Sequence, residues 1–141
     1  MHYLYLKNFC TKKSGRNLAK TYQKRRILKV GIIPSHIVRL YNCKFHSRSI
    51  FITTKVLSHI YERRKSFLYN ILLPNIEDIV RKPDIIYENN KKEFGLIIVK
   101  QIDKQEILLV LNYVKGLKPR GYYIVTSFIG RQRYIQKLKR L

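Results

Sequence analysis

The sequence predicts an α+β domain in which N-terminal helices pack on a four-stranded antiparallel sheet. An extra basic N-terminal element precedes this domain, and a short C-terminal helix or tail ends it. Three observations predict this fold. The chain has 141 residues of which 45% are hydrophobic, enough for one core. Apolar residues change from helical to β spacing near residue 84, and the connections between the later runs have hairpin length, which is typical of an antiparallel meander.

The charge of the chain divides it into two parts. The net charge is +22, from 30 Lys and Arg against 8 Asp and Glu, and residues 1–61 contain 13 of the basic residues and none of the acidic ones. A surface of this kind requires an anionic partner, because its own acids cannot neutralise it. We therefore expect a basic arm over residues 1–50, a folded domain over residues 51–141, and RNA as the partner.

The first half of the chain yields one helix and one unassigned stretch. Residues 14–30 have apolar residues at helical spacing and a dense basic run, and Gly31 follows as a stop signal. This pattern predicts a cationic helix. Residues 36–52 alternate basic, aromatic and apolar types without a clear period, so they receive no assignment.

Two further helices are predicted in the middle of the chain. Thr54 is placed to cap a helix over residues 55–72, which carries an apolar stripe. Asn75, with an acid three residues later, is placed to cap a short helix that must end before Pro83.

The last third of the chain reads as strands followed by a helix. Four β-rich runs are separated by short polar connections, at residues 84–88, 94–101, 106–113 and 121–128. Residues 131–141 place apolar and basic side chains on different helical faces, which predicts a terminal helix or tail.

Metal, cofactor and membrane functions are disfavoured. The acids are scattered, and no phosphate-binding glycine loop or nucleophile elbow is present. His36, Cys43 and His46 could join Cys10 around zinc, but their spacing matches no common pattern. We predict no metal, no cofactor and no membrane span, and the two isolated Cys fit a reducing cytoplasm.

Cleavage of RNA without a metal remains available to such a chain. RNA carries its own nucleophile, the 2′-hydroxyl, so a protein needs a proton donor and acceptor, together with cations that stabilise the developing phosphorane charge. Side chains of these types predict the catalytic residues, which are His59 on a helix, Lys100 at the end of a strand, Thr126 within the last strand, and Arg131 after it.

Other basic and aromatic residues are candidates for binding RNA. Cations neutralise phosphates, and aromatic rings stack unpaired bases. The candidates are Arg63 and Arg64 beside His59, Arg133 and Tyr134 near the C-terminus, and Lys24, Arg25 and Arg26 in the basic arm.

Four segments in a fixed order resemble the phage-type members of the barnase, EndoU, colicin and RelE-like nuclease superfamily. They are VLSHIYERR at 56–64, IEDIVRKPDIIY at 76–87, ILLVLNY at 107–113 and YIVTSFIGRQRYIQKLKRL at 123–141. The resemblance covers residues 55–141. It implies a small metal-independent endoribonuclease that leaves a 2′,3′-cyclic phosphate, often a toxin that an acidic immunity protein neutralises.

The resemblance also matches two residues of this chain to functional positions of the family. At a third position this chain differs from many members. His59 corresponds to the helical His of the family, and Thr126 to the Thr or Ser of its final strand. Many members have a second His about where this chain has Arg64, and a guanidinium cannot act as a base. His59 would then work with Lys100 or Tyr134. Otherwise the chain is a noncatalytic RNA-binding or ribosome-associated protein, which its charge fits equally well; docking on an anionic membrane is a third, weaker reading.

Overall fold

The computed structural model describes residues 26–40, 47–89, 95–114 and 116–140. These residues form seven strands and four α-helices around one sheet. In chain order the elements are β1 (Ile27–Ile32), α1 (Ser35–Leu40), β2 (Ser49–Thr53), α2 (Thr54–Phe67), a π-helical turn (Leu68–Leu72), α3 (Leu73–Arg81), β3 (Ile85–Asn89), β4 (Gly95–Ile102), β5 (Gln105–Tyr113), β6 (Tyr122–Ile129), α4 (Gln132–Ile135) and β7 (Lys139–Arg140).

The sheet is mixed and larger than predicted. Its strands lie in the order β1-β2-β6-β5-β4-β3-β7, with six main strands and the two-residue β7 at one edge. The pairing of β2 with β6 is parallel, and the other pairings are antiparallel. The prediction of N-terminal helices on a four-stranded antiparallel sheet is therefore wrong. Two strands, β1 and β2, precede the long helix and extend the sheet.

Strand β1 occupies the end of the segment predicted as a cationic helix. Leu28 and Val30 are buried while Lys29 between them is exposed, so the period is two and the helix prediction is wrong from Ile27 onward. Residues 14–25 of that segment lie outside the described residues. Gly31 is not a helix stop. It lies in the strand where α3 approaches, and a Cβ there would overlap the side chain of Val80.

The predicted domain boundary at residue 50 falls inside β2, which pairs with β1. Side chains before this boundary belong to the main hydrophobic core, namely Leu28, Val30, Ile33 and Ile37. What residues 51–141 do on their own stays a prediction, which the deletion described in the Discussion tests.

The helical region runs from residue 54 to residue 81 as α2, the π-helical turn and α3. Its cap is Thr53 rather than the predicted Thr54, because the Thr53 hydroxyl accepts a hydrogen bond from the Val56 backbone N–H at 3.3 Å. Asn75 is not a cap either. It lies in the first turn of α3, and its side chain donates to the Ile71 carbonyl at 2.7 Å. Helix α3 ends at Arg81, before Pro83.

The four β-rich runs correspond to β3, β4, β5 and β6, each within one residue of its predicted ends. The C-terminal segment is different from the prediction. Its helix spans only Gln132–Ile135, and residues 139–140 pair with the edge of β3. We refer to residues 130–140 as the C-terminal strap, because this segment leads from the end of β6 to the far edge strand β3.

The sheet has two unlike faces. Helices α2 and α3 cover the first face, where side chains such as Leu57, Ile76, Ile98 and Leu109 form the main core. The second face has a smaller core that contains Val99, Leu108 and Val110. Ile135 and Leu138 of the strap pack against this smaller core.

Candidate nucleic-acid interface

Strand β6 contains a β-bulge that decides which face its later side chains occupy. Ile124 pairs with Leu111, but the next pair is Thr126 with Val110, so Val125 is an extra residue in the ladder. Residues opposite each other in a sheet share a face. Thr126 therefore lies on the second face with Val110, whereas Ile124 lies in the main core of the first face.

A cation from α2 and a second aromatic ring meet at Phe128, and we call Arg64, Phe128 and Tyr134 the Phe128 cluster. The guanidinium carbon of Arg64 lies 5.8 Å from the centroid of the Phe128 ring, within the range of a cation–π contact. The Tyr134 ring meets the same Phe128 ring edge to face, with centroids 5.6 Å apart and an interplanar angle of 76°. Thr126 is two residues from Phe128 along the strand, about 7 Å away on the same face.

Three elements position this cluster. Arg64 is half-buried and follows Ile60 and Leu57 at helical spacing, on the stripe of α2 that packs against the sheet. The helix is kinked at Arg64, whose φ of −145° and ψ of 58° are not helical. Phe128 is presented by β6 beyond the bulge, and Tyr134 by the strap.

The start of the strap is held close to the sheet. The Gly130 N–H donates to the Glu106 carbonyl at 2.8 Å, and a Cβ at Gly130 would overlap the Leu108 side chain. The Arg131 carbonyl then accepts from the N–H groups of Tyr134 and Ile135, at 2.9 and 3.1 Å. The side chain of Arg131, a predicted catalytic residue, is exposed, and its backbone is hydrogen-bonded to that of Tyr134 in the cluster.

Asn112 and Tyr123 extend the second face beyond Thr126, and the sequence did not single them out as site residues. They pair across β5 and β6. The Asn112 Oδ1 atom is buried and accepts no hydrogen bond from a described residue. The Tyr123 hydroxyl donates to the Pro119 carbonyl, and burial raises the pKa of Tyr123 above its ordinary 10.0. Phe128 was likewise missed, although an aromatic residue two positions after Thr126 was a usable signal.

His59 lies on a different side of α2 from the cluster. Its side chain is exposed, as are those of Arg63 and Glu62 on the same side of the helix. At 3.6 residues per turn, positions 59 and 64 are about 140° apart around the helix axis. The structure thus joins Arg64 and Tyr134 through Phe128, with Thr126 two residues along the same strand, and presents His59 to solvent. The catalytic role of His59 stays a prediction.

Lys100 points to the other face of the sheet from Thr126. It pairs with Ile107, which belongs to the main core of the first face. Its Nζ donates to the Lys82 carbonyl at 2.7 Å and lies 3.6 Å from Oδ1 of Asp84. Lys100 therefore ties the end of α3 to the start of β3, and the structure does not bring it to the Phe128 cluster.

The remaining RNA-binding candidates divide between the surface and the undescribed part of the chain. Arg133, in α4 beside Tyr134, is exposed. Arg26 is also exposed, and its backbone joins the start of α2 through hydrogen bonds with Thr54. Lys24 and Arg25 lie outside the described residues.

The comparison with protein families decides the membership of this chain. Residues 28–134 match the model of the phage-Barnase-EndoU-ColicinE5/D-RelE like nuclease 3 family. The chain belongs to this nuclease family. The predicted resemblance is confirmed, and the match begins 27 residues earlier than the predicted start at residue 55, because it includes β1 and β2. Searches of the curated proteins and of the solved structures gave no match.

The matched region of this phage nuclease-like family contains the whole Phe128 cluster and ends at Tyr134. Membership in a nuclease family indicates a nucleic-acid substrate, in agreement with the net charge of +22. In the described parts of the chain, no three His, Cys, Asp or Glu residues are grouped as a metal site. None of the helices described is long and apolar enough to cross a membrane.

Proposed function

We propose that this nuclease-family chain is a metal-independent endoribonuclease that acts on the second face of its sheet. The observation that carries the proposal is the Phe128 cluster, in which a guanidinium and a second aromatic ring contact Phe128, two residues along β6 from Thr126. Rings stack unpaired bases, and guanidinium groups bind phosphate through paired N–H donors. A flexible single strand of RNA fits such a surface.

Each residue around the cluster has a chemical role in this proposal. A base stacks on the ring face of Tyr134, which is 37% exposed, while Arg64 and Arg131 contact the scissile phosphate and stabilise the charge that develops on its oxygens. The Thr126 hydroxyl donates a hydrogen bond to a phosphoryl oxygen.

The reaction itself needs two proton transfers. The 2′-hydroxyl loses its proton and its oxygen attacks the phosphorus, and the bond from phosphorus to the 5′-oxygen breaks as that oxygen gains a proton. The products are a 2′,3′-cyclic phosphate and a free 5′-hydroxyl. A phenol and an imidazole can both transfer these protons. The geometry favours Tyr134, which is 37% exposed and in contact with the cluster, over His59 on the solvent side of α2.

The test uses the full chain and a fluorescently labelled single-stranded RNA, with cleavage followed in the presence of EDTA. We expect cutting with a 2′,3′-cyclic phosphate end, and no cutting where the 2′-hydroxyl is replaced by hydrogen. Tyr134→Phe keeps the ring contact and removes the hydroxyl, so it should lower the cleavage rate by about 10² to 10⁴ while RNA affinity changes little. Tyr61→Phe, the same change on the helical side, is the matched control and should cut normally.

His59→Ala decides between the two proton-transfer candidates. A loss of about 10² or more in this variant, with normal cutting by Tyr134→Phe, would assign the role to His59 and overturn the geometric argument. Abolition of cutting by EDTA would contradict the metal-independent mechanism. RNA binding without any cutting by the intact chain would show that the chain is an RNA-binding protein.

A toxin role belongs to the same proposal. With a net charge of +22, the protein could be blocked by an immunity partner with an acidic surface that covers Arg64 and Arg131. Expression in bacteria provides the test: the intact chain should arrest growth, and Tyr134→Phe should not. Equal growth with both chains would contradict the toxin role while leaving the cleavage assay valid.

A further inference from the structure

A second concave surface shares no lining residue with the Phe128 cluster. It is a cavity of about 370 Å³ between α1, the end of α3 and the start of β3. This volume is within the usual range of small-molecule sites. Lys100, which points away from Thr126, donates to the carbonyl of Lys82 in the wall of this cavity.

The lining of the cavity is about half apolar and half polar, and its polar groups are mostly basic. Pro34, Ile37, Pro83, Ile85 and Ile86 supply flat or branched apolar surface. The polar lining consists of His36, Arg81, Lys82 and Asp84. Apolar walls with a few convergent polar groups are typical of a site for a small organic ligand.

The acids at this cavity are engaged by neighbouring groups. Oδ2 of Asp84 accepts a hydrogen bond from the Gln101 N–H at 2.7 Å, and its Oδ1 faces Lys100 at 3.6 Å. Asp78 forms an ion pair with Arg81 in the next turn of α3. Lys82 is exposed at the rim. These ion pairs also offset the charges of Arg81 and Lys100, so Lys82 is the cation by which the cavity favours a ligand that has a flat apolar part and a negative charge.

We propose that this cavity binds one nucleotide. The base lies between the proline walls and the His36 ring, and the phosphate contacts Lys82 and Arg81 at the rim. The proposal rests on the proposed function in one respect, namely that RNA supplies the nucleotide. The site is then a second contact for the substrate, separate from the position of cleavage.

The separation of the two sites follows from the sheet. Lys100 pairs with Ile107 and Ile107 with Ile129, so two strand spacings, about 10 Å, separate Lys100 from the end of β6. Lys100 and Thr126 also point to opposite faces. A strand of RNA that reaches both sites must cross the edge of the sheet, so the cavity would hold a nucleotide several positions from the scissile bond.

The experiment measures binding without cleavage, so that it remains readable if the proposed ribonuclease activity fails. The full chain is titrated with 5′-AMP, 5′-CMP and inorganic phosphate, with binding followed by isothermal titration and by amide NMR shifts. We expect one of the nucleotides to bind, with shifts at residues 34–37 and 81–86, and phosphate alone to bind at least ten times more weakly. Equal binding of phosphate and nucleotide would overturn the base site.

Two charge reversals separate the cavity from the general basic surface. Lys82→Glu alters the rim, and Arg120→Glu changes the net charge equally in the exposed loop between β5 and β6. We expect Lys82→Glu to weaken nucleotide binding at least tenfold and Arg120→Glu to weaken it less than twofold. His36→Ala should also weaken it, because the stacking ring is lost. Equal effects of the two reversals would overturn the site.

Competition identifies the source of the nucleotide. A noncleavable 2′-O-methyl RNA of twelve nucleotides is added to the complex with the mononucleotide. Displacement of the mononucleotide by this RNA supports an RNA contact in the cavity. The Lys82→Glu variant should then cleave RNA with a higher KM and little change in kcat. Failure of the RNA to displace the nucleotide would overturn the assignment to RNA.

Discussion

The two faces of the sheet differ in what covers them and therefore in what they can do. The first face is closed by α2 and α3 with continuous aliphatic contacts, and side chains such as Ile98 and Leu109 are fully buried there. Among the described residues, the short strap covers part of the second face, which carries Thr126 and Phe128. Stability thus resides mainly on one face, and the candidate chemistry on the other.

The largest expected effect comes from removing the elements that complete the first face. Deletion of residues 1–50 removes β1 and α1, with the core side chains Leu28, Val30, Ile33 and Ile37. Burying side chains of this size contributes about 1.5–3 kcal/mol each, comparable in sum to the whole stability of a small domain. We expect the circular dichroism spectrum of the remaining chain, residues 51–141, to be that of an unfolded protein.

Deletion of residues 1–25 is the matched control for that experiment. It retains every strand of the sheet and the whole family match, so it should remain folded. It also removes seven Lys and Arg, so its affinity for RNA should be lower at low salt. A folded 51–141 chain would show that the first face is complete without β1, and would support the predicted arm.

Replacement of single charged residues should have a smaller effect, on the salt dependence of RNA binding. This effect distinguishes RNA binding on the second face from RNA binding on the solvent side of α2. Binding of RNA by many phosphate contacts should weaken by about 10³ to 10⁵ between 50 and 200 mM salt. Arg64→Gln should lower the slope of this dependence by about one, because one phosphate contact is lost. Arg63 lies on the same side of α2 as His59, and Arg63→Gln should change the slope less. The opposite ranking would place RNA on the solvent side of α2.

The smallest effect concerns Tyr123 on the second face and appears only at high pH. Burial raises its pKa in the folded chain above the ordinary 10.0, so the folded state holds the phenolic proton more tightly than the unfolded state. This contribution to stability is present below about pH 10 and is lost as pH rises through the folded pKa. Urea unfolding between about pH 9 and 11 should show a steeper loss of stability in the wild type than in Tyr123→Phe. An equal dependence of stability on pH in the two proteins would contradict the assignment of this loss to Tyr123.

The strands of the meander could be predicted because their periodicity is local. Runs such as 106–113 alternate or remain apolar between short polar connections, and β3 to β6 appear within one residue of their predicted ends. Strand β1 could not be found in this way. Its alternation covers only Leu28 and Val30 before the irregularity at Gly31, and the basic run before it has helical spacing.

The candidate site was less predictable because it depends on register. Regular alternation from Tyr122 would place the side chains of Thr126 and Phe128 in the main core. The extra residue Val125 moves both side chains to the second face. The sequence shows no sign of this insertion. The contact of Arg64 with Phe128 is likewise a tertiary contact between α2 and β6, which helical spacing alone cannot indicate. Residue types were therefore more predictable than the faces on which they lie.

The parallel pairing of β2 with β6 determines when the sheet can be completed during synthesis of the chain. Ile50 pairs with Tyr122, so β1 and β2 join the rest of the sheet only after β6 has left the ribosome. Arg64 is synthesised long before Phe128 and Tyr134, which complete its surroundings. A nascent chain therefore carries its arginine without the rings until β6 and α4 have been synthesised, and the proposed RNA-binding surface is incomplete before that point.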